Sequence, residues 1–301
     1  MSMTKDKSEF ANSQRSDAPL GSLGRFPGLP TGIQLEADWY YRAWCFGNRS
    51  DAQDFVDNDL APDSTMDGLE WEQDNIVGTG ATISIDVNGF PPHMLITTPA
   101  TDTRGQQMQH SVGTRELFDF SIMREAYIYG IFRLSDANDN AATLTQSQFA
   151  FGLGPIDTTV LAGIDDYIGF YKGDASAVIN AVCDDDSAAL SSYPVRRVVQ
   201  DLSVGGPSGV SMAGRWFGLG MKIEVPSQSN NQGLMHTFYD AHLESVTQRL
   251  PTHRGSAALV EVPDQPITPT IAFAAGEATA KRLSIAKLIV AGRYRLGITG
   301  N

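Results

Sequence analysis

The chain has 301 residues, 42% of them hydrophobic, enough to bury the core of one large β domain or two ordinary ones. Its 35 acidic and 22 basic side chains give a formal net charge of −13 with no basic stripe, which argues against binding to a phosphate backbone. No apolar run reaches membrane-spanning length, and the polar opening MSMTKDKSEFANSQRSD lacks the apolar stretch of a signal peptide; two cysteines, Cys45 and Cys183, do not make a disulfide scaffold or a cysteine-rich zinc site.

Residues 1 to about 30 are poor in large apolar side chains and include RSDAPLGSLGRFPGLPTG. This composition implies an extended N-terminal arm, either disordered or ordered only against a neighbouring subunit, with Phe26 and Leu29 as its anchors. Residues 35 to 46 (LEADWYYRAWCF) hold the densest aromatic patch, in which Trp39, Tyr40, Trp44 and Phe46 fit neither a strand alternation nor a helix face. A short helix or irregular segment is expected there; core packing is the better use of such rings, with an assembly interface or a sugar platform as alternatives. Residues 49 to 75 are acidic and turn-rich, so the chain divides into an arm and acidic extension, 1–75, and a β domain, 76–301.

From residue 76 the pattern is β. Thr79 to Val87 alternates and meets the turn Asn88-Gly89; His93 to Thr98 follows, and 99–114 read as a polar loop. Phe118 to Leu134 suits a long bent strand or a pair of strands, with a helix over Glu116 to Tyr127 in competition. Gln148 to Leu153, Asp165 to Lys172, Ala177 to Cys183 and Pro194 to Leu202 supply further strands. Arg215 to Tyr239 reads as two strands about a polar turn, with Trp216, Leu219, Met221, Ile223 and Val225 on the apolar side and Phe217 breaking the alternation. Ile267 to Val290 holds two more short strands through Ile271, Phe273, Leu283, Ile285, Leu288 and Val290. About a dozen short strands without helical periods describe an all-β antiparallel sandwich or jelly roll.

No catalytic constellation emerges. Glu70, Glu72 and Asp74 (EWEQD) meet the alternation that could deliver paired carboxylates for glycoside hydrolysis, but their short, turn-flanked setting reads as a solvated acidic loop. Asp136, Asn138 and Asn140 copy the first ligands of a calcium loop, yet Ala141 stands at its glycine and Ser147 at its closing glutamate. Asp184-Asp185-Asp186 reads as a solvated turn. His93, His110, His236, His242 and His253 show no zinc spacing, and neither a nucleophile elbow nor a phosphate loop is present. No catalytic residue, cofactor or metal is assigned.

Taken in order, DDYIGFYK (Asp165 to Lys172), RWFGLGMKIE (Arg215 to Glu224), HTFYDAHLE (His236 to Glu244) and ITPTIAFAAGEATAKRLSIAKLIVAG (Ile267 to Gly292) resemble the concanavalin-like jelly-roll domains of structural proteins of tailed bacteriophages. Ile168 to Tyr171 fits the family's middle strand, Trp216 and Leu219 the next, Phe238 to Asp240 the hairpin, and Thr268 to Ala280 the penultimate strand and turn. Ala241 departs from the usual glycine. The resemblance covers roughly 80 to 292 and implies a non-enzymatic virion protein on the outer capsid surface, most simply a capsid decoration or cement protein. Its expected partners are the major capsid protein or other virion proteins and further copies of itself, with no nucleic acid and no membrane. Phe26, Leu29, Trp39, Tyr40 and Trp44 are then the expected assembly contacts. Two alternatives stand beside it: a lectin-like carbohydrate-binding module, with Trp71, Asp166 and Tyr167 as glycan contacts, and a glycoside hydrolase on the same fold.

Overall fold

The structure is a computed structural model and describes residues 39–45, 70–76, 78–86, 89, 91–111, 118–136, 144, 146–156, 160–163, 166–183, 194–199, 214–225, 232–240, 253–254 and 258–295. The strands in chain order are β1 (Trp39–Cys45), β2 (Glu70–Ile76), β3 (Thr82–Asp86), β4 (His93–Thr97), β5 (Gly105–Ser111), β6 (Met123–Asp136), β7 (Ser147–Gly154), β8 (Ile168–Lys172), β9 (Ile179–Cys183), β10 (Pro194–Val199), β11 (Trp216–Glu224), β12 (Gln232–Asp240), β13 (His253–Arg254), β14 (Ala258–Glu261), β15 (Thr268–Ala275) and β16 (Lys281–Tyr294). One helical turn, α1 (Val160–Gly163), lies between β7 and β8.

These strands form two antiparallel sheets. The 9-stranded sheet runs β13-β12-β11-β6-β16-β4-β3, with β1 paired to β16 and β14 to β12; the 7-stranded sheet runs β10-β9-β8-β7-β15-β5-β2. The fold is an all-β antiparallel jelly-roll sandwich. Its period-two patterning places Ala126, Ile128, Phe132 and Leu134 of β6 in the core. On β16 a bulge between Ile285 and Lys287 resets the alternation, so Leu283, Ile285, Leu288 and Val290 all face inward. Phe132 crosses between the layers, its ring 5.3 Å from that of Phe149 and 4.8 Å from that of Phe151, both on β7. Burying each such ring is worth about 1.5–3 kcal/mol. Gly130 leaves room for that ring: a Cβ there would sit 2.2 Å from Phe132 Cζ.

Several sequence expectations change. The supposed polar loop 99–114 contains β5, whose glutamines are buried instead of solvated. The helix considered over Glu116 to Tyr127 gives way to the single 14-residue strand β6. The last strand, β16, also has 14 residues instead of being short, because it must pair with β6, β4 and β1. The aromatic patch contains a strand, not a helix, and β1 and β2, both drawn from the segment assigned to an arm and extension, build into the two sheets beside β16 and β5. The remainder of the proposed arm, with Phe26 and Leu29, lies outside the described residues.

Candidate functional site

The aromatic residues singled out from sequence go mainly to the core. Trp44 and Trp71, each 4% exposed, meet edge to face at 5.4 Å, and His110 lies 5.2 Å from both rings. Tyr40 packs edge-on against Phe118 at 6.0 Å. Trp44, buried, and Tyr40, half-buried, therefore stitch β1 to the sandwich, while of Trp39 only the strand position opposite Arg293 is described. Tyr167 is fully buried and Asp166 nearly so, which leaves Trp71 and Tyr167 no ring face for a sugar. The shared reason is local: each lies on, or directly against, a strand whose alternation aims it at protein. Cys183 is a free thiol that donates to Glu261 O at 2.8 Å. Asn138, Asn140, Asp184, Asp185, Asp186 and His242 lie outside the described residues.

Tyr167 and Asp166 belong to the connection between β7 and β8, which is fastened to the outer face of the 7-stranded sheet. Gln109 Nε2 donates to Pro155 O at 2.7 Å and to Thr270 Oγ1 at 3.0 Å. Val160 N donates to Gln107 Oε1 at 3.2 Å. The Tyr167 hydroxyl donates to Phe170 O at 3.2 Å and settles over the paired glycines Gly152 and Gly169, where added Cβ atoms would meet it at 2.6 and 2.7 Å. Burial holds the phenol pKa well above its ordinary value, so it remains a donor. Beneath the connection, Ala150, Tyr171, Val182 and Ala272 form a second small core with Val160. The part of this face that holds Ala150, Tyr171, Val182 and Ala272 is covered.

At one end of the sandwich Lys172 and Lys281 are both fully buried. Lys172 Nζ donates to Ser147 O and, at 3.2 Å, to Gly173 O, while Lys281 pairs with Glu277. Desolvation lowers the Lys172 pKa to about 7, Asp174 opposes the shift, and Lys281 adds to it. Neutral or charged, the amine spends its donors on backbone carbonyls, which marks it as a structural tie.

The outer face of the 9-stranded sheet is built differently. On β11 the core set is Phe217, Leu219, Met221 and Ile223, so Trp216 is the residue out of phase and stands on the outer face, half-buried. This reverses the sequence reading, which placed Trp216 in the core and treated Phe217 as the irregularity. The His93 ring from β4 meets the Trp216 ring edge to face at 5.3 Å. His93 Nδ1 lies 2.9 Å from Pro91 O, an acceptor only, so that nitrogen carries a hydrogen. Its Nε2 is 3.9 Å from Asp86 Oδ2, and Asp86 Oδ1 accepts from Gly89 N at 2.8 Å. The hairpin turn thus orients the carboxylate, the carboxylate flanks the imidazole, and the imidazole fixes the indole.

Cross-strand register extends the surface. Trp216 is opposite Arg133, Arg133 opposite Ser284, Ser284 opposite Leu95, and Leu95 opposite Ser84. The next row is Ser135, Arg282, Thr97 and Thr82. Thr82 and Ser84 are exposed, Arg133, Arg282, Leu95 and Thr97 half-buried, and Ser135 and Ser284 buried. An aromatic ring, a carboxylate, two guanidinium groups and several hydroxyls share one face. Farther along, Lys222 pairs with Glu224 and lies 5.4 Å from the Tyr127 ring, and Tyr127 donates to Glu125 at 2.7 Å. Among the described residues no group of three or more His, Cys, Asp and Glu is placed to hold a metal ion, and no helix is long and apolar enough to cross a membrane.

No protein-family model and no curated protein sequence matches the chain. Solved structures do resemble it in fold. The potassium-bound carbohydrate recognition domain of Emp46p aligns with 11% identity over 73% of this chain and 87% of its own, at a TM-score of 0.44. Arcelin-5, a lectin-like defense protein from Phaseolus vulgaris, aligns with 11% identity over 86% of this chain and 100% of its own, at 0.46. A native glycosidic hydrolase aligns with 8% identity over 83% and 94%, also at 0.46. These likenesses replace the expected resemblance to phage virion proteins, and with it the capsid decoration role, the major capsid protein as partner and the capsid surface as location. The physical reason lies in the motifs that carried that resemblance. Ile168, Phe170, Ile271 and Phe273 are core positions that a jelly-roll sandwich of any function must fill with similar side chains.

Proposed function

We propose that the chain is a lectin-like carbohydrate-binding module that acts by recognition and not by catalysis. The observation that carries this reading is the outward-facing Trp216, held by His93 and the Asp86 hairpin on a face that also presents the exposed hydroxyls of Thr82 and Ser84. A sugar ring offers C–H groups on one side and hydroxyls around its edge. An indole face takes the first, and carboxylate, guanidinium and hydroxyl groups take the second. Among the described residues, the 7-stranded sheet beneath the β7–β8 connection is covered, and the glycan contacts first expected at Trp71, Asp166 and Tyr167 shift to Trp216, Asp86 and His93.

The test is isothermal titration of the full chain with a panel of oligosaccharides, paired with a turnover assay on the same panel. Wild type is expected to bind at least one oligosaccharide without consuming it, and Trp216→Ala to weaken that binding about tenfold or more. Cleavage of a bound oligosaccharide would favour the glycoside hydrolase alternative. Equal binding by wild type and Trp216→Ala would remove this face from the reading.

A further inference from the structure

The outer face of β11 carries Trp216, Gly218, Gly220, Lys222 and Glu224 in turn, so two successive outward positions have no side chain. A glycine inside a strand gives up packing and conformational entropy, and it often marks a place where another group comes close to the backbone. Here that group is Tyr129 of β6. Register sets Tyr129 opposite Gly220 and Ile131 opposite Gly218. The Tyr129 side chain nevertheless leans diagonally onto Gly218, where an added Cβ would meet its hydroxyl at 2.7 Å and its Cε2 and Cζ at 3.3 Å. The hydroxyl is the end of the side chain farthest from its own backbone, and it lies at the height of a Cβ. The phenol ring is therefore laid along the sheet instead of standing up from it, and it stays only half-buried.

Trp216 also reaches over the sheet: it starts on β11 and meets His93 of β4, although β6 and β16 lie between those strands. It is two residues from Gly218, about 6.8 Å along the strand. The two aromatic rings thus flank one stretch of floor, Gly218 and Ile131, both buried. A glycan chain offers successive sugar rings at a comparable spacing, and one aromatic ring takes the apolar face of one sugar. Resting on the carbohydrate reading of the same face, we infer that Trp216 and Tyr129 form two adjacent sugar subsites and that the ligand is an oligosaccharide of two or more units instead of a single terminal sugar. Gly218 is the positioning residue, because its missing Cβ is what allows Tyr129 to lie down.

The experiment titrates the full chain with length ladders, from mono- to tetrasaccharide, of the β-1,4-linked glucose, mannose and N-acetylglucosamine series. In a ladder that binds, affinity is expected to rise about fivefold or more from one sugar to two, the worth of one aromatic contact. Tyr129→Ala is expected to abolish that gain, and Tyr129→Phe, which keeps the ring, to retain it. Gly218→Ala adds a methyl group that meets only the far end of Tyr129, so the ring is lifted while the strand keeps its course. That variant is expected to lose the gain with a melting profile near wild type. Equal affinity for mono- and disaccharide in wild type, or an undiminished gain in Tyr129→Ala, would overturn the inference. If binding depends on Trp216 and does not rise with chain length, the carbohydrate reading stands and the second subsite fails. If every member of the ladders goes unbound, both fail.

Discussion

The two sheets use their buried polar side chains in different proportions. In the 7-stranded sheet and its connection these groups bond mainly to backbone. Gln109 donates to Pro155 O, Gln107 accepts from Val160 N, Thr268 donates to His110 O, Tyr167 to Phe170 O, and Lys172 to Ser147 O and Gly173 O. On the outer face of the 9-stranded sheet backbone ties such as His93 to Pro91 O and Gly89 N to Asp86 are joined by side-chain pairs, Lys222 with Glu224 and, at 3.9 Å, His93 with Asp86, while Arg282 Nε meets no hydrogen-bond partner. A side chain bonded to backbone is committed to holding the chain in place, because releasing it leaves a buried carbonyl or amide unsatisfied. A side chain bonded to another can exchange that partner for a ligand at lower cost. Mutations on the first sheet should therefore be read in stability, and mutations on the second in binding.

The largest expected effect lies at the glycine pair under Tyr167. Gly169→Ala puts a Cβ 2.5 Å from Gly152 Cα and 2.6 Å from Phe151 O, backbone atoms that cannot step aside. A loss of about 3 kcal/mol or more, read as a fall in denaturant midpoint, is expected. A loss under about 1 kcal/mol would show that the connection is not clamped there.

Lys172 comes next. Its folded pKa of about 7 lies below the ordinary lysine value of 10.5, so above pH 7 the unfolded chain binds more protons at this site than the folded one. The cost of burying the charge is fully present below pH 7, and stability from this group rises as pH increases from about 7 toward 10.5. Lys172→Met should remove that rise from a plot of unfolding free energy against pH, a change of the order of a few kcal/mol across the window. A plot with the same slope in both proteins would place the titration elsewhere. Smallest is Tyr167→Phe, which removes one buried hydroxyl bond and should cost about 1 kcal/mol by thermal melt while leaving glycan binding unchanged. Trp216→Ala is the mirror case: binding falls while the melt moves little.

The strand content was legible from residue 76 onward because β3, β4, β7, β8, β11 and β15 have apolar alternation or apolar runs bounded by turns. β5 was hidden by its glutamines. GQQMQHS has the polarity of a loop, and it takes the connection lying above it, with Thr270 of β15, to give Gln107 and Gln109 partners. β1 and β2 were obscured by aromatic residues that alternate poorly in isolation and close up as a Trp44–Trp71–His110 cluster only when two different sheets bring them together. The face now assigned to ligand had one signal in the sequence. With Phe217, Leu219, Met221, Ile223 and Val225 in phase, Trp216 was the exception, and reading the exception as the rule concealed it.

The sequence alone determined that this chain folds as an antiparallel sandwich, since alternation and turn residues act over a few positions and need no distant partner. It could not determine what the surface does. Arg133 and Arg282 are far apart in the chain, as are His93 and Trp216, and only β16, pairing with β6 on one side and β4 on the other, sets them on one face. Whether a polar side chain ends bonded to backbone or open to a ligand depends on what the fold lays over it, and the connection that covers Gln107 and Gln109 lies on the opposite sheet from Arg282.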